Sequence, residues 1–218
     1  MTTTIKKRKS KKVSDKIWGE YFSNIKGRLN DPISGTSREE GFTKIFEYLK
    51  KRKNPIIVET GCYREEDNYE GDGCSTLLFD KFIEIYGGTL ISVDKDPKAC
   101  ELASKNTSHA EIANEDSIEF LSTLNGAVDL LYLDSYNIDD WNNDWEAASH
   151  HLKELFAAKN IIKSGTLIVV DDNMTNSQEN VISLKVGKGR IIAELMSALD
   201  IKPYINDYQI AWVWKELD

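Results

Sequence analysis

The sequence predicts an α/β fold: a doubly wound, mostly parallel sheet covered by helices on both faces. Three observations predict it. Ile56-Ile57-Val58-Glu59-Thr60-Gly61, Ile91-Ser92-Val93-Asp94 and Val169-Val170-Asp171-Asp172-Asn173 are apolar, β-branched runs that end abruptly in acid or glycine. Such runs, lacking polar alternation, belong to strands buried on both faces, as in a parallel sheet. Stretches of helical periodicity separate them, so strand and helix alternate along the chain. Finally, the acids fall at the carboxyl ends of the strands, the edge where open α/β sheets bind their ligands.

From Ser14 to Leu29 the aromatic residues Trp18, Tyr21 and Phe22 share one helical face until Asn30-Asp31-Pro32 breaks the pattern, which makes this segment a candidate lid or capping helix. Thr36 and Ser37 before Glu39-Glu40 form a helix N-terminus signature, and Phe42, Ile45, Phe46 and Leu49 follow at helical spacing up to the basic run Lys50-Lys51-Arg52-Lys53. Asn54-Pro55 starts the first strand. A polar segment, Tyr63 to Asp72, leads through Gly73 to a helix from about Ser75 carrying Leu78, Phe82 and Ile85. Gly87-Gly88 turns the chain into a strand over Thr89 to Val93. A helix from about Pro97 to Asn106, a short strand near Ile112 and a helix from about Ser117 follow. The next elements are a strand over Val128 to Leu133, a helix from Trp145 to Ala158 and a strand over Thr166 to Val170. Gly187-Lys188-Gly189 precedes a helix from Arg190 to Leu199, and two extended runs split by Asn206-Asp207 form a terminal antiparallel hairpin. Domain boundaries follow: a disordered basic tail over 1–13, a helical cap over 14–54, and an α/β domain over 55–218.

Formal net charge is −8, although Lys6, Lys7, Arg8, Lys9, Lys11 and Lys12 crowd the start, so the folded body is more acidic than the whole. This disfavours a body that binds nucleic acid, and like-charge blocks of this kind repel and stay solvated. No apolar run approaches the ~18 residues that span a bilayer, and no apolar segment follows the basic residues. The expectation is a cytoplasmic protein without a membrane partner, for which a homo-oligomer is compatible. Cys62, Cys74 and Cys100 lack paired metal-ligand spacing and suit reduced, structural thiols.

Glu59, Gly61, Gly71 and Gly73 occupy the first strand-to-helix turn, where glycine lets backbone approach a ligand. The spacing fits neither the dinucleotide fingerprint nor Walker A. An acid before the loop suits an amine-bearing or cationic ligand better than pyrophosphate. Asp94 stands where a nucleoside site places a carboxylate for the ribose hydroxyls. Asp116 and Ser117 follow the third strand, as contacts to an adenine edge or as a helix cap.

Taken together, Val58-Glu59-Thr60-Gly61 with Gly73-Cys74-Ser75-Thr76, Ser92-Val93-Asp94, Asp116-Ser117, Asp129-Leu130-Leu131-Tyr132-Leu133-Asp134 and Gly165 to Asn173 resemble a class I S-adenosylmethionine-dependent methyltransferase, from about Pro55 to the C-terminus. Within that superfamily the chain is similar to small-molecule O-methyltransferases of the catechol, caffeoyl-CoA and macrolide-sugar types and to the cephalosporin-hydroxylase-like group. The resemblance implies a Rossmann-like sheet of about seven strands whose last pair is antiparallel, with S-adenosyl-L-methionine as cofactor. It implies Glu59 and Gly61 near the methionine amino group, Asp94 on the ribose, and Asp116 and Ser117 by the adenine. Gly73, Ser75 and Asp134 complete the implied cofactor-binding set. The segment Arg64 to Glu70 is longer than the loop usual in the family.

The catechol-type enzymes bind a divalent cation with acids that Asp134, Asp171 and Asp172 match, Asp172 standing where the family often has asparagine. Three hard oxygen donors suit Mg²⁺ or another divalent cation, which would also compensate neighbouring like charges. Three residues after Asp134 the family often carries lysine, whereas this chain has Asn137, which cannot take a proton. Asp134, His150 and His151 are therefore the catalytic candidates, and Trp141 and Trp145 are candidates for stacking on an acceptor or for core packing. Methyl transfer to the hydroxyl of a small-molecule acceptor is the leading expectation. A macromolecular acceptor is disfavoured by the acidic body and the lack of an Asn/Asp-Pro-Pro-Tyr signature. A nucleoside-binding module without turnover stands as the alternative from another class.

Overall fold

The structure is a computed structural model and describes residues 11–138, 144–175 and 184–216. Two helices come first, α1 (Lys11–Ile25), continued by one 3-10 turn over Lys26–Leu29, and α2 (Glu39–Leu49). The alternating part follows as β1 (Ile56–Thr60), α3 (Ser75–Tyr86), β2 (Thr89–Asp94), α4 (Pro97–Asn106), β3 (Ala110–Asn114), α5 (Ser117–Thr123), β4 (Leu130–Leu133), α6 (Trp145–Ala157) and β5 (Leu167–Val170). The chain then runs through β6 (Asn173–Thr175), β7 (Leu184–Gly187), α7 (Arg190–Ala198), β8 (Pro203–Asn206) and β9 (Ile210–Val213). Seven strands form one sheet in the order β3-β2-β1-β4-β5-β9-β8. The first five in that order are mutually parallel, whereas β9 pairs antiparallel with both β5 and β8. This is the doubly wound sheet with a terminal hairpin that the sequence predicts. Because the chain winds outward from β1 to β3 and then crosses to β4 and β5, its direction reverses between β1 and β4. At such a switch point the carboxyl ends leave a crevice.

Alternation along the strands divides the core between the two faces. Ile57, Leu90, Leu130, Tyr132, Leu167, Val169 and Ala211 pack with α1 to α4 on one side, while Val58, Leu131, Leu133, Ile168, Val170, Ile210 and Trp212 pack with α5 to α7 on the other. In the central strands β4 and β5 each residue is thus buried whichever way it points, which is why they read as unbroken apolar runs.

The N-terminal helices belong to this body. Trp18 is 2% exposed and meets the rings of Phe46 and Phe82 at 4.4 and 5.2 Å between centroids. Ser14 Oγ donates to the carbonyl of Ile85 at the end of α3, and Tyr86 Oη donates to Asp15. α1 therefore lies along α3 as a packing helix. It begins at Lys11, inside the segment 1–13 expected to be a disordered tail, and residues 1–10 of that tail lie outside the described residues. The antiparallel ribbon β6–β7 was not foreseen. Its strands are separated by residues 176–183, well beyond the two-to-five-residue spacing that signals a hairpin. Among the described residues, no helix is long and apolar enough to cross a membrane.

Candidate functional site

The first turn depends on Gly61. It has φ 80°, and a Cβ at this position would lie 2.5 Å from the carbonyl oxygen of Asp134, so glycine lets the ends of β1 and β4 close on each other. Two residues earlier, Glu59 is fully buried beside Ser92 of β2. Its carboxyl accepts from Ser75 Oγ (2.5 Å), Thr76 Oγ1 (2.7 Å) and Ser92 Oγ (2.6 Å), which ties the first turn of α3 to two strands. Burial pushes the group up to about 7 against the pull of these three hydroxyls. The structure therefore places Glu59 beneath the turn as its anchor, and puts Gly61 and Ser75 at the surface of the cleft. Gly73, with φ 70°, faces away from that surface, for a Cβ there would meet Arg38 Cδ at 2.7 Å.

Two adjoining clefts run along the carboxyl ends of the strands. The first is lined by Gly61, Arg64, Asp72, Ser75, Asp134 and Ser135 among others. A second is lined by Lys95, Asp116, Ser117, Tyr136 and His150. Both are also lined by Asp94 and Ser135. Asp94 accepts the backbone N–H of Cys62 (3.1 Å) and of Asp96 (2.8 Å), so its carboxylate is fixed at the boundary between the clefts while remaining half-exposed. Asp116 is the N-cap of α5, accepting from the N–H groups of Ile118 and Glu119. Ser117 Oγ lies 3.2 Å from His150 Nε2. Arg64, from the long first loop, holds Asp72 through Nη2 at 2.6 Å and donates to Asn137. A cation thus reaches Asn137.

Asp134, Asp171 and Asp172 do converge, but around two side chains of this protein. Arg38 is 3% exposed and donates to Asp171 Oδ2 (2.8 Å) and Asp172 Oδ1 (2.7 Å). Lys188, fully buried, bonds Asp172 Oδ2 at 2.7 Å and also bonds Asp134 Oδ1. Tyr132 Oη donates to Asp171 Oδ2 at 2.6 Å, and the Tyr208 ring lies 4.7 Å from the Arg38 guanidinium. Asp172 is held well below the usual carboxylate range by Lys188 and Arg38, against its burial. Asp134 is instead pushed upward by burial and by Asp171 and Asp172, with Lys188 opposing. Among the described residues no group of acids and histidines is disposed to hold a metal ion. The carboxylate oxygens that the sequence assigned to Mg²⁺ are engaged by a guanidinium and an ammonium, so the residues present do not fit a divalent cation. Asn173, directly after them, is a backbone pin: Nδ2 donates to the carbonyls of Val170 and Asp171, and Oδ1 accepts from Gly189 N–H.

The two histidines part company. His150 lines the second cleft, whereas His151 is fully buried with Nδ1 2.7 Å from the carbonyl oxygen of Ala147. Burial lowers His151 to about 4, which keeps it neutral and places it away from any acceptor, so a catalytic role for it is not supported by its position. Behind His150, the buried Glu154 accepts from Ser135 Oγ at 2.6 Å and approaches His150 Nε2 at 3.4 Å. Trp145 is 53% exposed under the guanidinium of Arg190, and Trp141 lies outside the described residues. Sequence reading missed Arg38, Arg64, Lys188 and Glu154. Only Lys188 carried a local signal, its glycine neighbours on both sides.

No protein-family model matches the chain, and no curated protein matches it in sequence. Solved structures do share its fold. The SAH-bound methyltransferase PaMTH1 of Podospora anserina superposes with a TM-score of 0.52 at 14% identity, over 99% of this chain and 100% of that one. Fibrillarin of Aeropyrum pernix, in complex with natively bound S-adenosyl-L-methionine, gives 0.50 at 16% identity over 74% of this chain and 67% of that one. The sugar N-methyltransferase KedS8 of Streptoalloteichus gives 0.50 at 9% identity over 91% and 93%. At these identities the likeness is one of architecture: the chain has the Rossmann-like methyltransferase fold.

Proposed function

We propose that the protein transfers a methyl group from S-adenosyl-L-methionine to a hydroxyl of a small molecule. The observation that carries this reading is the pair of clefts meeting at Asp94. Their linings differ in a way that suits the two ends of one ligand. Arg64 and Asp134 offer the first cleft a cation and a carboxylate, the complement of a zwitterionic amino-acid end. Asp94 can accept ribose hydroxyls, and Asp116, Ser117 and the rings of Tyr136 and His150 offer the second cleft polar edges and flat faces for a base. Neighbours of the same fold that hold this cofactor or its demethylated product add support.

When bound, the cofactor supplies the electrophilic methyl group. The chain's part is alignment and proton handling. Asp134 lines the cleft with a carboxyl that can accept a hydrogen bond or a proton from an acceptor hydroxyl. The metal-assisted form of the mechanism is left out, because Arg38 and Lys188 already engage the acids it would use. Calorimetry with S-adenosyl-L-methionine, its demethylated product and NAD is the test. Heat from the first two and none from NAD is expected, and the reverse pattern would sink the proposal. Transfer of labelled methyl to a panel of small hydroxyl compounds and amines then identifies the acceptor class.

A further inference from the structure

We infer that Lys188 is a tethered cation, filling the position between Asp134 and Asp172 that a divalent ion would otherwise take, so that the site works without metal and removal of the ammonium uncovers a latent metal site. The inference shares Asp134 with the proposed methyl transfer but does not depend on that reaction.

The geometry is that of a cation in a coordination shell. Lys188 Nζ is buried, bridges carboxylate oxygens from two different strand ends and lies 2.7 Å from Asp172 Oδ2. Arg38 takes the opposite oxygen of Asp172, so both of its oxygens already face a positive charge. A hard cation demands six or more oxygen ligands at roughly 2.0–2.6 Å, a space the ammonium now fills. Admitting an ion would also mean burying an ammonium deprived of its partners, which costs several kcal/mol.

Local backbone shows how the lysine is delivered. Lys188 N–H donates to the carbonyl of Asp172, and a Cβ on Gly187 or Gly189 would come within 2.7 and 2.8 Å of Asn173 atoms. Gly187, at φ 141°, and Gly189 thus let the turn lie flat against Asp172-Asn173. Asp172 itself adopts a left-handed φ of 54°.

The experiment is a titration of Mn²⁺, without cofactor or acceptor, into wild type, Lys188→Ala and Lys188→Met, followed by calorimetry and by the spin-resonance signal of free Mn²⁺. Wild type should bind no Mn²⁺ below about the millimolar range, whereas each Lys188 variant should bind one ion at least tenfold more tightly, with Kd on the order of 10⁻⁴ M. Adding Asp172→Asn to either variant should abolish that binding. Lys188→Met keeps the apolar stem in the core and serves if the alanine variant does not fold. Submillimolar binding by wild type that Asp172→Asn removes would overturn the inference, as would folded Lys188 variants that bind no better than wild type. Failure of S-adenosyl-L-methionine to bind would leave both outcomes readable.

Discussion

The carboxylates at the ends of β4 and β5 and the carboxylate at the end of β2 arise from the same sequence pattern, a buried strand that stops at an acid, yet they end in opposite states. Asp171 is 1% exposed and Asp172 shares both its oxygens with Arg38 and Lys188. Among the described residues, Asp94 meets only backbone N–H groups through its carboxylate, and it stays open to two clefts. The difference lies in what the surrounding chain brings. Around β5, the start of α2 contributes Arg38 and the Gly-Lys-Gly turn contributes Lys188. Around β2, the turn after Gly61 brings the backbone N–H of Cys62 to Asp94 and no basic side chain is bonded to it among the described residues. A strand-end acid reached by a basic side chain of the same protein, as Asp171 and Asp172 are, thus has its charge compensated before any ligand arrives.

This contrast can be broken most forcefully at Arg38. Arg38→Met should destabilise the fold by roughly 3–5 kcal/mol in chemical denaturation, because it leaves Asp171 buried without its cation. A loss under about 1 kcal/mol would mean that the β5 cluster does not rely on internal neutralisation.

Next in size is a pH effect at Glu59. Its carboxyl is raised from 4.5 to about 7 in the fold, so between these values the native state holds a proton that the unfolded chain has released. Stability from this group is present below about pH 4.5, falls as pH rises and is fully lost above about pH 7. Glu59→Gln cannot ionise, so its stability relative to wild type should improve by roughly 3 kcal/mol across that window, measured by parallel urea melts. A difference that stays flat with pH would show that the Ser75, Thr76 and Ser92 hydroxyls hold Glu59 as an ordinary anion.

The smallest effect sharpens the other half of the comparison. Asp94→Ala should cost the fold only about 1 kcal/mol but weaken S-adenosyl-L-methionine binding by about 1.5–3 kcal/mol, the scale of charged hydrogen bonds. Unchanged affinity by calorimetry would remove Asp94 from the ribose role and make its likeness to the β5 acids closer than proposed.

By itself the sequence determined the architecture. Unbroken apolar runs such as Leu130 to Leu133 and Leu167 to Val170 are intelligible only as strands covered on both faces, and the helical spacing of Leu78, Phe82 and Ile85 gives the covering layer. Both patterns are local, because the periodicity of a strand or helix is repeated within a few residues. The strand ends were legible for the same reason, which is why Gly61, Asp94, Asp116 and Asp134 could be located before their surroundings. Tertiary structure alone decided what those ends meet. Arg38 stands 133 residues from Asp171, and Lys188 stands 54 from Asp134. Nothing in the spacing of either pair records that contact, so the acids looked as though they awaited a metal. Likewise His150 and His151 are neighbours in the chain, but their rings lie at an interplanar angle of 77°, one at the second cleft and one in the core. Charge compensation in a protein is a property of distance and burial, and both are set by packing between elements far apart in sequence.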